Sequence, residues 1–260
     1  MSERHAWAGA SDLVVASDGR RRPSIVALPS DQPSVADLFE FMRDAELRFD
    51  TLRMRIDERT WTARGEHLTV MDVALRHPGA ARVATSEPHR GISAGYEIWI
   101  SDGERVRTYS GVHRLGTERP VRHTVRGLDS DDFPGRSRVY WPLTTLPMET
   151  LPDTFVHPAG YCQNVLATGR CWIAGTDTVA GREVWVLECD HPRTIEVAAD
   201  RPDFHVRVCV DTADGVILRL QETIAGDTTR DAEVTVYQPN APLVPTTFEF
   251  RFPTGTRMLF

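Results

Sequence analysis

The side chains of this 260-residue chain that could do chemistry are four cysteines, nine histidines and one dense acidic run. Cys162, Cys171, Cys189 and Cys209 make an even set, which admits two disulfides, reduced buried thiols or a metal site. Zinc needs thiolates and imidazoles at short, repeated spacings. Cys189-Asp190-His191 with a further cysteine could supply ligands, but there is no Cys-x-x-Cys knuckle. Reduced, mostly buried thiols are the expectation for a chain kept in a reducing compartment. The histidines form neither His-Glu-x-x-His nor His-x-His, and are expected to be scattered over the surface. Asp129, Asp131 and Asp132 lack the spacing and closing glutamate of a calcium loop, and read as a solvated acidic loop. No Gly-x-Ser-x-Gly nucleophile elbow occurs. Gly79, Gly103, Gly181 and Gly215 suit turns and do not cluster into a phosphate cradle. The residues therefore name no catalytic set and no recognisable metal motif.

Bulk properties narrow the class further. A net charge of −7 argues against a general nucleic-acid role, which needs a basic footprint. Hydrophobic content of 41% and charged content of 26% are those of an ordinary globular chain. No run approaches the roughly 20 apolar residues of a membrane helix, so no membrane span is expected. The chain opens with polar residues, and Arg20-Arg21-Arg22 is followed by a stretch too short and too rich in proline for a signal core. The sequence as given reads as cytoplasmic, or extracytoplasmic if the true start lies upstream.

Residues 1–33 read as a polar leader, with a small hairpin (Leu13-Val14-Val15 against Ile25-Val26) as an alternative. The first firm element is a helix. Ser34 is its N-cap, Asp37 follows three residues on, and Val35, Leu38, Phe39, Met42, Ala45 and Phe49 repeat at helical spacing. After Asp50 the period changes to 2. Strands are expected at 51–63, 67–76, 81–86, 95–101 and 104–110, with another at 119–126. Residues 127–168 read as an insertion carrying short helices near 148–155 and 160–168. The alternation then resumes at 171–179, 183–189, 204–210, 216–224 and 231–237, and Phe248, Phe250 and Phe252 suggest a closing strand.

Two turns organise the first half. Leu75-Arg76-His77-Pro78-Gly79 ends one strand, and Ser101-Asp102-Gly103 joins two alternating runs. Asp-Gly between such runs is a strong hairpin signal. The whole pattern is mainly β (α+β). It predicts a curled antiparallel half-barrel of roughly ten or more strands, whose apolar face is covered by the N-terminal amphipathic helix and the helical insertion.

Three blocks carry a family resemblance: residues 75–109 with their Pro and Ser-Asp-Gly turns, Val210-Asp211-Thr212-Ala213-Asp214-Gly215 into Leu218-Arg219-Leu220, and Phe248-Glu249-Phe250-Arg251-Phe252-Pro253-Thr254-Gly255. In this order they resemble the LolA-like outer-membrane lipoprotein carriers and the related RseB/MucB N-terminal domains, over about residues 34–260. The resemblance implies one half-barrel domain with an apolar cavity, no catalytic residue and no cofactor. It implies that Arg76 latches the lid helices, although His77 intervenes before Pro78 and Ala80-Ala81 stand where an aromatic would fall. The ligand-binding candidates are Leu38, Phe39 and Met42 on the helix, Trp61 and Trp99 on strands, and Arg76. The expected function is that of a carrier or binding protein for a lipid or other hydrophobic molecule. The alternatives are an RseB-like sensor bound to a protein partner, and an enzyme that uses the hollow as a reaction chamber.

Overall fold

A computed structural model describes residues 14–15, 21–22, 25–28, 32–88, 96–122, 142–192 and 203–259. Two short strands, β1 (Val14–Val15) and β2 (Arg21–Arg22), pair antiparallel. The second arm of that hairpin is thus Arg21–Arg22 and not Ile25-Val26. Val26 instead donates its N–H to the Asp44 carboxylate at 3.0 Å, and its carbonyl accepts from Arg48.

Helix α1 (Val35–Arg43) begins in a full capping box. The Ser34 hydroxyl accepts from the Asp37 N–H at 3.1 Å, and the Asp37 carboxylate accepts from the Ser34 N–H at 3.1 Å. These bonds satisfy donors that a helix start leaves open. The helix is shorter than its apolar repeat suggests. It stops at Asp44, whose carboxylate is committed to Val26 and Arg43, and a single 3₁₀ turn (Ala45–Arg48) carries the chain on. Leu38, Phe41, Met42 and Ala45 are buried.

The strands follow as β3 (Thr51–Thr62), β4 (Gly65–Arg76), β5 (Ala80–Ser86), β6 (Tyr96–Asp102), β7 (Arg105–Ser110) and β8 (Leu115–Pro120). The strand expected at 119–126 sits earlier, and positions 123–126 fall outside the described residues, as does the Asp129, Asp131 and Asp132 run. Helices α2 (Leu151–Val156) and α3 (Ala159–Asn164) precede β9 (Arg170–Val179), β10 (Arg182–Asp190), β11 (Phe204–Asp211), β12 (Ile217–Ile224), β13 (Asp227–Pro239) and β14 (Arg257–Leu259). Twelve strands form one open sheet in the order β14-β8-β7-β6-β5-β4-β3-β13-β12-β11-β10-β9. All neighbours are antiparallel except β14, which lies parallel to β8. The sheet is curled and unclosed, a half-barrel.

The ladder register assigns the two faces. Residues directly opposite one another share a face. Val234, Ile56 and Met71 are one such row, and Tyr237, Met54, Val73, Val83 and Trp99 another. These rows point into the hollow, together with Leu220, Val208 and Leu187. The three helices sit on them, and Phe155, Val156, Leu166, Leu38 and Met42 are fully buried there. Burial of this kind contributes about 25 cal/mol per Å² of apolar surface.

The convex face is wet over β10–β13, where Arg219 pairs with Asp231 at 2.7 Å. Over β5–β8 it is covered. Phe248 is buried, Phe250 packs on Tyr109 at 5.9 Å between ring centroids, and Phe252 lies against Gly116. The expected closing strand is therefore corrected. Residues 249–252 are extended but join no ladder, and the final strand is Arg257–Leu259. Period-2 alternation reports an extended chain with one buried side, which a strap across a sheet shares with a strand.

Candidate ligand chamber

At the end of the concave face away from α1, the hollow opens into a cavity of about 420 Å³. Its walls come from four strands: Glu58 and Thr60 of β3, Phe204 of β11, Glu222 and Ile224 of β12, and Thr229 and Arg230 of β13. The register explains why charged residues reach the inside. Glu58 stands opposite Ala232, and Glu222 opposite both Val206 and Arg230. All lie on the face that buries Val234 and Leu220. Arg230 donates to Glu58 at 2.7 Å and lies 3.5 Å from Glu222, so the cation is shared between two carboxylates. Phe204 and Ile224 supply the apolar wall. The chamber is thus an open recess with two apolar side chains on one wall and two carboxylates, one guanidinium and two threonines on the others.

Tyr161 of α3 approaches this cluster from the cap. Its hydroxyl is buried and has no hydrogen-bond partner among the described residues. Burial, then the nearby Glu222 carboxylate, push the phenol well above its usual range, so it remains a neutral donor. A buried hydroxyl left unpaired costs about 1–3 kcal/mol. Tyr161→Phe should therefore raise the melting temperature of the unliganded protein, by about 2–4 °C per kcal/mol for a chain of this size. Differential scanning calorimetry checks this, and a lowered melting temperature would mean that the hydroxyl has a partner.

The six residues proposed from sequence separate by face. Leu38 and Met42 are fully buried in the core, and Phe39 packs half-buried against it. Trp99 shares the concave row of Val83 and packs on the same core. Trp61 and Arg76 are on the other side. Trp61 is 38% exposed near the end of β3. Arg76 follows inward-facing Leu75, and its guanidinium lies 5.0 Å from the centre of the Phe248 ring. It holds the C-terminal strap rather than the helices. None of the six lines the chamber.

The helical cap is fastened by a constellation that sequence reasoning missed. Asp153 and His157 lie one turn apart on and just after α2, and Glu46 comes from the 3₁₀ turn after α1. His157 Nδ1 is 2.9 Å from Asp153 and Nε2 is 3.1 Å from Glu46. Glu46 also accepts the Leu143 N–H at 3.0 Å. The His157 side chain is 0% exposed, so no substrate reaches it. Burial opposes its charge, but the two carboxylates prevail and raise its pKa to about 9. A cation between two anions, sealed from water, is a clamp. The Asp153-x-x-x-His157 spacing was a signal that could have suggested half of it.

The thiols are free and apart from this chemistry. Cys171 and Cys189 face each other across β9 and β10, and both donate to the Leu166 carbonyl, at 3.1 and 3.4 Å. Cys162 rests on the Met42 sulfur at 3.7 Å. Burial pushes Cys209 up to about 11. Among the described residues, no group of three His, Cys, Asp or Glu side chains is placed to hold a metal. No helix among them is long and apolar enough to cross a membrane.

No family model matches the chain, and no curated protein matches it by sequence. Among solved structures it is similar to a conserved protein from Thermus thermophilus, with a TM-score of 0.49 and 11% identity over 86% of this chain and 98% of that one. It is similar to MucB, with a TM-score of 0.47 and 14% identity over 84% of this chain, and it spans 62% of MucB's length. It is also similar to a LolA superfamily protein from Nitrosomonas europaea, with a TM-score of 0.33 and 11% identity over 84% of this chain and 99% of that one.

Proposed function

We propose that this chain is a binding protein that holds a lipid or another hydrophobic molecule between the concave face of its sheet and the helical cap. The observation that carries the reading is the chamber itself. An open sheet buries an apolar concave face under three short helices, and beside it lies a recess with Phe204 and Ile224 on one wall, near a neutral phenol that has no hydrogen-bond partner among the described residues. A cavity of about 420 Å³ falls within the usual range of small-molecule sites. The ligand that suits it has an apolar body that lies against Phe204 and Ile224. Binding of that kind comes mainly from apolar burial, at about 25 cal/mol per Å² before association costs.

The test is uptake of a neutral fluorescent acyl probe by delipidated protein, compared with a Thr229→Trp variant. Thr229 is half-exposed at a bulge of β13 and lines the recess, so an indole there is expected to occupy it. Wild type should bind the probe, and the variant should lose at least about tenfold in affinity, the equivalent of 1.4 kcal/mol. Equal binding by both proteins removes the chamber from the account.

A second reading has one observation in its favour. Three ionisable side chains, Glu58, Glu222 and Arg230, face inward, which a reaction chamber would need. Their mutual ion pairs occupy them in the unliganded protein. Under this reading the bound molecule would leave chemically changed, which mass analysis before and after incubation detects.

A further inference from the structure

The convex face carries a second recess, of about 580 Å³, between the sheet and residues 242–247 of the C-terminal strap. Its floor is the ladder row Arg53, Ala74, Arg82 on β3, β4 and β5. Neighbouring strands lie about 4.8 Å apart, so the two arginines stand about 10 Å apart with a methyl group between them. That spacing leaves room for one anionic group over Ala74. Arg55 stands at the edge of the recess, held by Asp57 at 3.2 Å. Leu243 and Val244 of the strap form an apolar wall, and Val244 is 62% exposed.

The charge pattern of the recess is distinctive in bringing two arginines to one gap. Most strand arginines of this acidic chain are paired: Arg59 with Glu66, Arg105 with Glu118, Arg207 with Asp177, Arg219 with Asp231. Arg53 and Arg82 have no hydrogen-bond or ion-pair partner among the described residues. Asp72 is the sole carboxylate lining the recess, so the lining is net positive. Two guanidinium forks facing one gap suit the oxygens of a carboxylate or phosphate, which arginine binds in bidentate fashion. The exposed aliphatic wall beside them suits a chain attached to that anion.

We propose that this recess binds an anionic amphiphile, with its carboxylate or phosphate between Arg53 and Arg82 and its apolar part against Leu243 and Val244. It is separate from the chamber, which lies on the opposite face. The test is calorimetric titration, below the micellar concentration, with oleate, 1-oleoyl-lysophosphatidate, uncharged monoolein and inorganic phosphate. Oleate or lysophosphatidate should bind, with whichever is tighter identifying the head group. In the Thr229→Trp background, where the chamber is filled, monoolein and inorganic phosphate should bind at least about tenfold more weakly, since each lacks one half of the recognition. The double variant R53A/R82A, whose circular dichroism should match wild type, should lose at least about tenfold toward the anionic lipids, in keeping with charge-assisted hydrogen bonds. Thr229→Trp should retain that binding. The proposal is overturned if R53A/R82A binds the acids like wild type, if monoolein binds Thr229→Trp as well as the acids do, if inorganic phosphate binds as tightly as lysophosphatidate, or if none of the four binds. Loss in Thr229→Trp with retention in R53A/R82A would place the lipid in the chamber and overturn the recess alone.

Discussion

His157→Leu should lower the stability of this protein by about 3–5 kcal/mol, because it leaves the carboxylates of Glu46 and Asp153 buried without their cation. For a chain of this length that corresponds to a fall in melting temperature of about 10 °C. The loss falls on the cap. Glu46 joins the 3₁₀ turn after α1 to Leu143 and, through His157, to α2. Without the imidazolium the two buried carboxylates lose the cation they share, and the attachment of α2 to the 3₁₀ turn weakens. Chemical denaturation of the variant measures the effect. A loss below about 1 kcal/mol, the usual range of exposed ion pairs, would show that the clamp is open to water.

The same cluster fixes a pH dependence. Folding raises the pKa of His157 from 6.5 to about 9, so the folded state holds that proton more tightly than the unfolded one. The stabilisation is complete below pH 6.5 and is lost as pH rises through about 9. Glu46 behaves in the opposite sense. Burial opposes its ionisation, but His157 and the hydrogen bonds prevail and hold it below its ordinary value. Its contribution is present above the ordinary carboxylate range and is lost as pH falls through its folded value. Wild type should therefore lose stability between pH 6.5 and 9, and His157→Leu should not show that slope.

Gly79→Ala is the second large effect. Gly79 follows the Pro78 turn with φ of +87°, and Gly103 closes the next hairpin with φ of +98°. The two turns press together backbone to backbone. A Cβ on Gly79 would lie 2.9 Å from the Gly103 Cα. The left-handed conformation costs about 1–2 kcal/mol with a side chain present, and forcing backbone apart adds about 1–3 kcal/mol. Ser101 ties the same junction, donating to the Gly79 carbonyl at 3.0 Å and accepting the Gly103 N–H at 3.2 Å. The substitution should cost about 2–5 kcal/mol in denaturant titration. Gly65, also at positive φ but with open space around it, should lose less when changed to alanine, because only the backbone penalty applies. Equal losses at the two sites would mean that the turns are free to separate.

These residues also show what could be read from sequence. The Asp102-Gly103 turn, the Ser34 cap and the alternation of Leu52, Met54 and Ile56 are local signals, and each marked an element that exists. Faces and partners are not local. Phe248, Phe250 and Phe252 alternate as a strand would, but ladder bonds depend on a neighbour that sequence does not name. Arg76 was assigned to the helices by resemblance, whereas the parity of β4 sends it to the strap because Leu75 faces inward. The chamber was the hardest to see. Glu58, Glu222 and Arg230 look like solvent-facing charges in their own strands, and only the register across β3, β12 and β13 turns them inward. His157 and Glu46 are 111 residues apart, beyond the reach of any helical or strand period.

Native mass spectrometry of delipidated protein mixed with a neutral single-chain lipid tests the central claim most directly. Wild type should appear with one bound lipid of unchanged mass, and Thr229→Trp should appear largely free. Wild type that stays free at lipid concentrations saturating for carriers, or a Thr229→Trp variant that binds as wild type does, would contradict a ligand chamber on the concave face.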